Sequence, residues 1–184
     1  MVLLRNVEQK PDAAIKEALD ATIADAEKTW NMPYDGEYPT TGFGIQELRP
    51  FNVENTTDNI PQTSNLNQWQ TSQLTGSTWT DWINVTNDED QYLVVTGIFC
   101  LDTTEKVTEI FPSANGQDLP VMNIEQLYAL DVARAFFTKP FVVKPKSNLT
   151  IQIYGATGVS ANTSTSLGLL GYCLAKRARL IDKS

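Results

Sequence analysis

Asn87-Asp88-Glu89-Asp90 sets four oxygen-bearing side chains in a row, the donor type that a hard cation such as calcium takes. The run lacks the EF-hand spacing and its distal Glu, so a solvated turn with carboxylates in water is the expected reading. Cys100 and Cys173 are the two thiols, each inside an apolar run, GIFCL and GYCLA. They read as buried small hydrophobes. The chain has no His to activate either as a nucleophile, and spacing alone leaves a bridge between them open. Carboxylates are numerous, but a glycosidase pair needs two acids held across a cleft. Here they fall mostly in turns and on one helix face. No catalytic residue, cofactor site or metal site is expected.

Two further groups carry recognition chemistry. Trp69, Trp79 and Trp82 are close in sequence and flanked by Asn, Gln, Thr and Asp. Aromatic rings beside amides can grip sugar rings, and the same residues also serve as core or interface aromatics. Lys176, Arg177, Arg179 and Lys183 gather positive charge at the end of an acidic chain, suited to anionic lipid, to an acidic partner, or to a solvated tail. Asn55, Asn84, Asn148 and Asn162 stand in N-x-[ST] triplets, which an Asn- and Thr-rich chain produces by chance.

The elements that position these residues follow from pattern. At 184 residues the chain suits one domain with a core large enough to need no disulfide or metal. Its net charge of −8 argues against a broad nucleic-acid surface and is compatible with brine or with ordinary solubility. The N-terminal MVLLRNVEQKPD has too short an apolar run for a signal peptide, and no segment is apolar enough to span a bilayer. Residues 11–30 predict one long helix, with Ile15, Leu19, Ile23, Ala26 and Trp30 on one face and Lys16, Glu17, Asp20, Asp25 and Glu27 on the other. That apolar face docks on something flat, either the chain's own sheet or a neighbouring subunit.

The remainder reads as strands. GFGIQELRPFNV is the first, ended by Pro50; Asn67–Leu74 is a polar strand anchored by Trp69. In the segment 79–85, Trp79, Asp81, Ile83 and Val85 alternate against Thr80, Trp82 and Asn84. Residues 91–101 form a buried strand and 106–111 a shorter one. Asn115-Gly116 marks a hairpin, 119–124 a further strand, and 124–134 a short helix. The last third holds two long strands about the turn Lys144-Pro145-Lys146-Ser147, with Leu149–Tyr154 alternating at period two. About eight strands with long corner loops predict a mainly β, antiparallel jelly-roll sandwich or barrel. The domain spans residues 35–184, behind an N-terminal extension of residues 1–34 that carries the helix.

YLVVTGIFCL, then FFTKPFVVKPKSNLTIQIYGA, then LGLLGYCLAKR form a sequence of aromatic strand, Pro turn, long alternating strand and Gly-rich final strand. On these segments, across residues 78–177, the chain resembles the small major capsid proteins of sphaerolipovirus-like, membrane-containing icosahedral viruses of halophilic archaea. The resemblance implies a single jelly roll standing vertically on a virion surface. It also implies self-association, pairing with a larger jelly-roll capsid protein, and contact with an internal membrane or its proteins. No direct nucleic-acid contact and no catalytic residue are implied. Under this reading Ile15, Leu19, Ile23, Trp30, Trp69 and Trp82 are the candidate interface residues, and segment 52–75 lies at a subunit boundary or on the outer surface. The alternative is a carbohydrate-binding sandwich on a spike or fibre, gripping its ligand through Trp69 or Trp82.

Overall fold

Apolar residues spaced by two in the strands, and by three or four in one helix, sort this chain into two sheets and a covering helix. The computed structural model describes residues 4–5, 12–53, 69, 71–129 and 133–182. In chain order its elements begin with β1 (Leu4–Arg5), α1 (Asp12–Trp30), β2 (Phe43–Glu47), a 3-10 turn (Pro50–Val53), β3 (Thr71–Leu74), β4 (Trp79–Thr86) and β5 (Gln91–Cys100). There follow β6 (Val107–Ala114), β7 (Gln117–Asp118), β8 (Met122–Asn123), α2 (Glu125–Ala129), β9 (Arg134–Val143), β10 (Asn148–Gly155), β11 (Thr163–Thr165), β12 (Leu167–Lys176) and α3 (Arg177–Asp182).

The first sheet runs β1-β9-β5-β12-β2 and the second β4-β10-β6-β7, with β8 also on β6; β11 and β3 form a separate pair. All these pairings are antiparallel. The mainly β, antiparallel expectation with one N-terminal helix therefore holds. Of the two forms expected, sandwich or barrel, the barrel does not form: the sheets stay separate, with hydrogen-bonded ladders inside each one.

One core lies between the sheets. Leu93, Val95 and Ile98 of β5 meet Ile110 of β6 and Leu149, Ile151 and Ile153 of β10 there. On β10 the alternation is as the sequence predicts, with those three buried and Thr150, Gln152 and Tyr154 half-buried. β5 is buried on both faces, which is why it reads as a continuous apolar run. Its Tyr92 and Val94 turn to the opposite side and join Phe43, Leu174 and Ala26 beneath α1.

Helix α1 ends where Asn31 takes a left-handed φ of 51° and Pro33 follows, a C-terminal stop that Asn tolerates better than most side chains. Lys28 sits in the last turn, complementing the helix dipole. The helix lies across β9 and β5.

β4 departs from simple alternation. Ile151 of β10 faces Ile83 and Gln152 faces Asp81, so Trp82 is an extra residue on its strand. This bulge turns Trp82 and Ile83 both inward, although the sequence pattern assigns them to opposite faces. Two other expectations shrink: of the strand expected at 119–124 only β8 forms, and of Asn67–Leu74 only β3, residues 67, 68 and 70 lying outside the described residues. The short helix expected within 124–134 is α2, with Asn123 Oδ1 accepting the Glu125 N–H at 2.9 Å.

Candidate interaction surfaces

The helix face expected to dock on something flat is spent on the chain's own first sheet. Ile15 is buried, and Leu19, Ile23 and Trp30 pack on the cluster around Tyr92 and Phe43. Trp30 is wedged between two rings, 5.2 Å from Phe43 and 5.2 Å from Tyr92, both edge-on. Its indole N–H donates to the Glu89 carbonyl at 3.1 Å, and the Lys176 ammonium lies 5.7 Å from its ring centre. A groove of about 670 Å³ remains between α1 and β9, floored by Ala18, Ala21, Pro140 and Val142. Across its mouth Lys144 pairs with Asp25 at 3.3 Å.

The tryptophans separate. Trp82 is 1% exposed in the core between the sheets, so it cannot face a partner or a sugar ring. Its Nε1 has no hydrogen-bond partner among the described residues. Trp69 is half-buried, with its ring 6.3 Å from Trp82 and 6.4 Å from Phe99. Trp79, passed over as a candidate in favour of Trp69 and Trp82, is 37% exposed. It stands on the outer face of the second sheet, 5.3 Å from the Tyr154 ring and 6.2 Å from Phe111.

The segment expected at a boundary or outer surface is only partly described. Residues 54–68 and 70 lie outside the described residues; of the rest, Asn52, Val53 and Leu74 are buried and Trp69 and Thr75 half-buried.

The acidic turn between β4 and β5 is occupied by the chain's own cations. Asp88 pairs with Arg179, Glu89 with Lys146 at 2.8 Å, and Asp90 with Lys176 at 2.6 Å. Asn87 is 1% exposed and works on the backbone instead. Its Nδ2 donates to the carbonyls of Gln91, Val143 and Lys144, and its Oδ1 accepts from Gln91 Nε2 at 2.7 Å. Among the described residues no group of three His, Cys, Asp or Glu side chains is placed to hold a metal ion. Two of the four C-terminal basic residues are thus committed to this turn, Arg177 donates to the Thr40 carbonyl, and Lys183 lies outside the described residues.

Both cysteines are free and buried. Cys100 stands opposite Leu167 and Cys173 opposite Leu93 on the same ladder. Cys100 and Leu93 are seven residues apart on β5, about 23 Å along a strand, far beyond disulfide reach. Cys173 accepts from Asn52 Nδ2 at 3.4 Å and donates to Gln91 Oε1 at 3.5 Å. Burial pushes its thiol up to about 12. Cys100 lies 3.3 Å from the Tyr128 hydroxyl, and burial raises both groups. These shifts favour the protonated thiol, opposite to what a nucleophile needs.

Asp102, its side chain 7% exposed, is the other acidic centre. It takes Lys106 at 2.9 Å, the Ser166 N–H at 3.1 Å and the Thr165 hydroxyl. With Lys106 also donating to the Ser164 carbonyl at 2.8 Å, the cluster fastens the β5–β6 loop to β11. Its polar groups are turned on one another, as in a structural tie.

Comparison with protein-family models, with curated proteins and with solved structures finds no match for this chain.

Proposed function

We propose that this chain is a structural virion subunit, a single jelly roll whose activity is assembly with copies of itself and with a larger jelly-roll protein over an internal membrane. One observation carries the reading. Taking β7 and β8 together as one interrupted strand, the eight strands other than β1, β3 and β11 pair as nested rungs of a folded hairpin: β2 with β12, β4 with β10, β5 with β9, and β6 with β7. First meets last, second meets second-last, and so inward, and successive strands alternate between the two sheets except at the innermost pair, where β6 and β7 share one. That is the order two Greek keys wound into a jelly roll require, an architecture shared by viral shells, lectins and cupins.

The resemblance of 78–177 to small viral capsid proteins selects the shell reading within that group. Because α1 is spent on its own sheet, the contacts between subunits fall to other side chains. Tyr38, beside the outer face of β2, is 85% exposed, and Leu101, just past β5, is also exposed. A specific contact between subunits buries at least about 1,000 Å² in total. In brine, screening of the net charge of −8 lets acidic subunits approach.

Sedimentation velocity of the full chain, across protein concentration and from dilute to molar salt, tests this. The expected result is concentration-dependent growth beyond the monomer that weakens in Tyr38→Ser or Leu101→Ser. A monomer at every concentration and salt overturns it.

A further inference from the structure

The outer face of the second sheet carries chemistry that the proposed contact residues Tyr38 and Leu101 do not share. On β10 the residues facing outward are Thr150, Gln152 and Tyr154. Tyr154 stands opposite Trp79, and the next outward rung sets Gln152 opposite Asp81. Gln152 Nε2 donates to Asp81 Oδ1 at 2.7 Å, which fixes the amide and leaves its carbonyl oxygen directed away from that bond. On the other side Gln152 faces Phe111 and Tyr154 faces Glu109. An aromatic group of Trp79, Tyr154 and Phe111 therefore adjoins a preset amide–carboxylate pair. Two residues along a strand span about 7 Å, so both lie within reach of one sugar ring and its substituents.

The composition of this face selects its ligand. β4, β6 and β10 read WTDWINVT, VTEIFPSA and NLTIQIYG, with no Lys or Arg. Phosphate, sulfate and sialic acid would meet Asp81 and Glu109 with no cation to receive them. The centre of a protein interface is depleted of charge, whereas here carboxylates and an amide sit on the rungs that carry the rings. A neutral polyhydroxylated ring suits both halves. Its C–H face carries partial positive charge toward the negative face of the indole, and its hydroxyls donate to carboxylate and amide oxygens.

We infer that the outer face of the second sheet is a binding platform for a neutral saccharide, with Trp79 as the stacking ring and Asp81 and Gln152 as the hydroxyl acceptors. The site is shallow and open, so affinity for one ring is weak and grows with chain length along the strands.

Titration calorimetry of the full chain against neutral hexasaccharides of glucose, mannose and galactose tests this, with sialyllactose and a heparin hexasaccharide as anionic counterparts. Binding to at least one neutral hexasaccharide is expected, with little or none to the anionic pair. Trp79→Ala lowers that affinity about tenfold or more, and Gln152→Ala lowers it with the aromatic group intact. Unfolding temperatures of both variants serve as the folding control, and Gln152→Ala, which removes no core contact, decides the matter if Trp79→Ala is unstable. Three outcomes overturn the inference: no binding to any neutral hexasaccharide, preference for the anionic sugars, or undiminished binding in folded variants. Loss of self-association in Trp79→Ala without any sugar binding assigns the face to a second copy of the chain and overturns it equally.

Discussion

Arg179 and Gln91 meet at 3.0 Å, the guanidinium Nε donating to the amide Oε1, and this one bond ties the C-terminal helix to the start of the central strand. Around it the end of the sandwich is held by polar side chains that the sequence presents as unrelated. Gln91 Nε2 donates to the Asn52 carbonyl at 2.8 Å and to Asn87, while Asn52 reaches Cys173. The acidic turn that looks like a cation site belongs to this knot, and its acids meet cations from β12, α3 and the β9–β10 turn.

Asn87 is the member with most to lose. Replacing it by Ala takes the Asn87 donor from the Gln91, Val143 and Lys144 carbonyls and leaves Gln91 Nε2 with the Asn52 carbonyl alone. Each unsatisfied buried group costs about 1–3 kcal/mol. Asn87→Ala should therefore destabilise the chain by about 2–4 kcal/mol in urea unfolding, whereas Glu89→Gln, which breaks an exposed pair, should cost under about 1 kcal/mol. Equal effects of the two would refute the assignment.

Trp30 anchors the helix. Its removal opens a gap between Phe43 and Tyr92 and frees α1 from the first sheet. Trp30→Ala should cost about 2–4 kcal/mol and speed amide exchange throughout α1, while leaving β10 protected. Uniform loss of protection in both elements would show that the helix is integral to the sandwich core.

Gly97 and Gly171 mark where the first sheet is pinched around its irregular registers. A Cβ on Gly97 would stand 2.2 Å from the Ala135 carbonyl oxygen, and one on Gly171 2.1 Å from that of Val94. Backbone, not a flexible side chain, is the obstacle. Gly97→Ala and Gly171→Ala should each destabilise by about 2 kcal/mol or more, above the roughly 1 kcal/mol that the positive φ alone costs Gly116→Ser in the β6–β7 turn, where nothing stands within 4 Å.

The buried thiol sets an alkaline limit. In the folded chain Cys173 is held up at about 12, above its ordinary 9.0. The unfolded thiol ionises first, so the stabilisation is complete below about pH 9 and is lost as pH rises toward the folded value. Thermal unfolding between about pH 8 and about pH 11 should show a falling midpoint, less steep in Cys173→Ala than in the parent. Identical slopes would contradict this. Native Cys173 should also resist thiol reagents that label it once the chain is unfolded.

Local features were legible from sequence where a single strand or turn decides them. The Leu149–Tyr154 alternation is the observed one, and Asn115-Gly116 turns with φ of 55° and 74°, the left-handed pair such a dipeptide favours. The apolar face of α1 was also legible, because helical spacing depends on no partner, although Thr22 is buried with it and Asp25, expected on the opposite face, meets the Tyr92 hydroxyl. What escaped depends on register between strands distant in sequence. The Trp82 bulge exists only against β10, so alternation placed Trp79 with Ile83 and obscured that Trp79 alone of its group stands outward while Trp82 is core. The nested strand order is likewise invisible until Phe43–Glu47 is seen beside Leu167–Lys176. Asn87 looked like one acid-turn ligand among four, since only burial separates a backbone clamp from a solvated amide.

Electron microscopy of the concentrated full chain in dilute and in molar salt tests the proposed assembly most directly. Regular arrays or closed shells of a repeating upright subunit are predicted. Separate single subunits under every condition, with and without a larger jelly-roll protein from the same source, would contradict it.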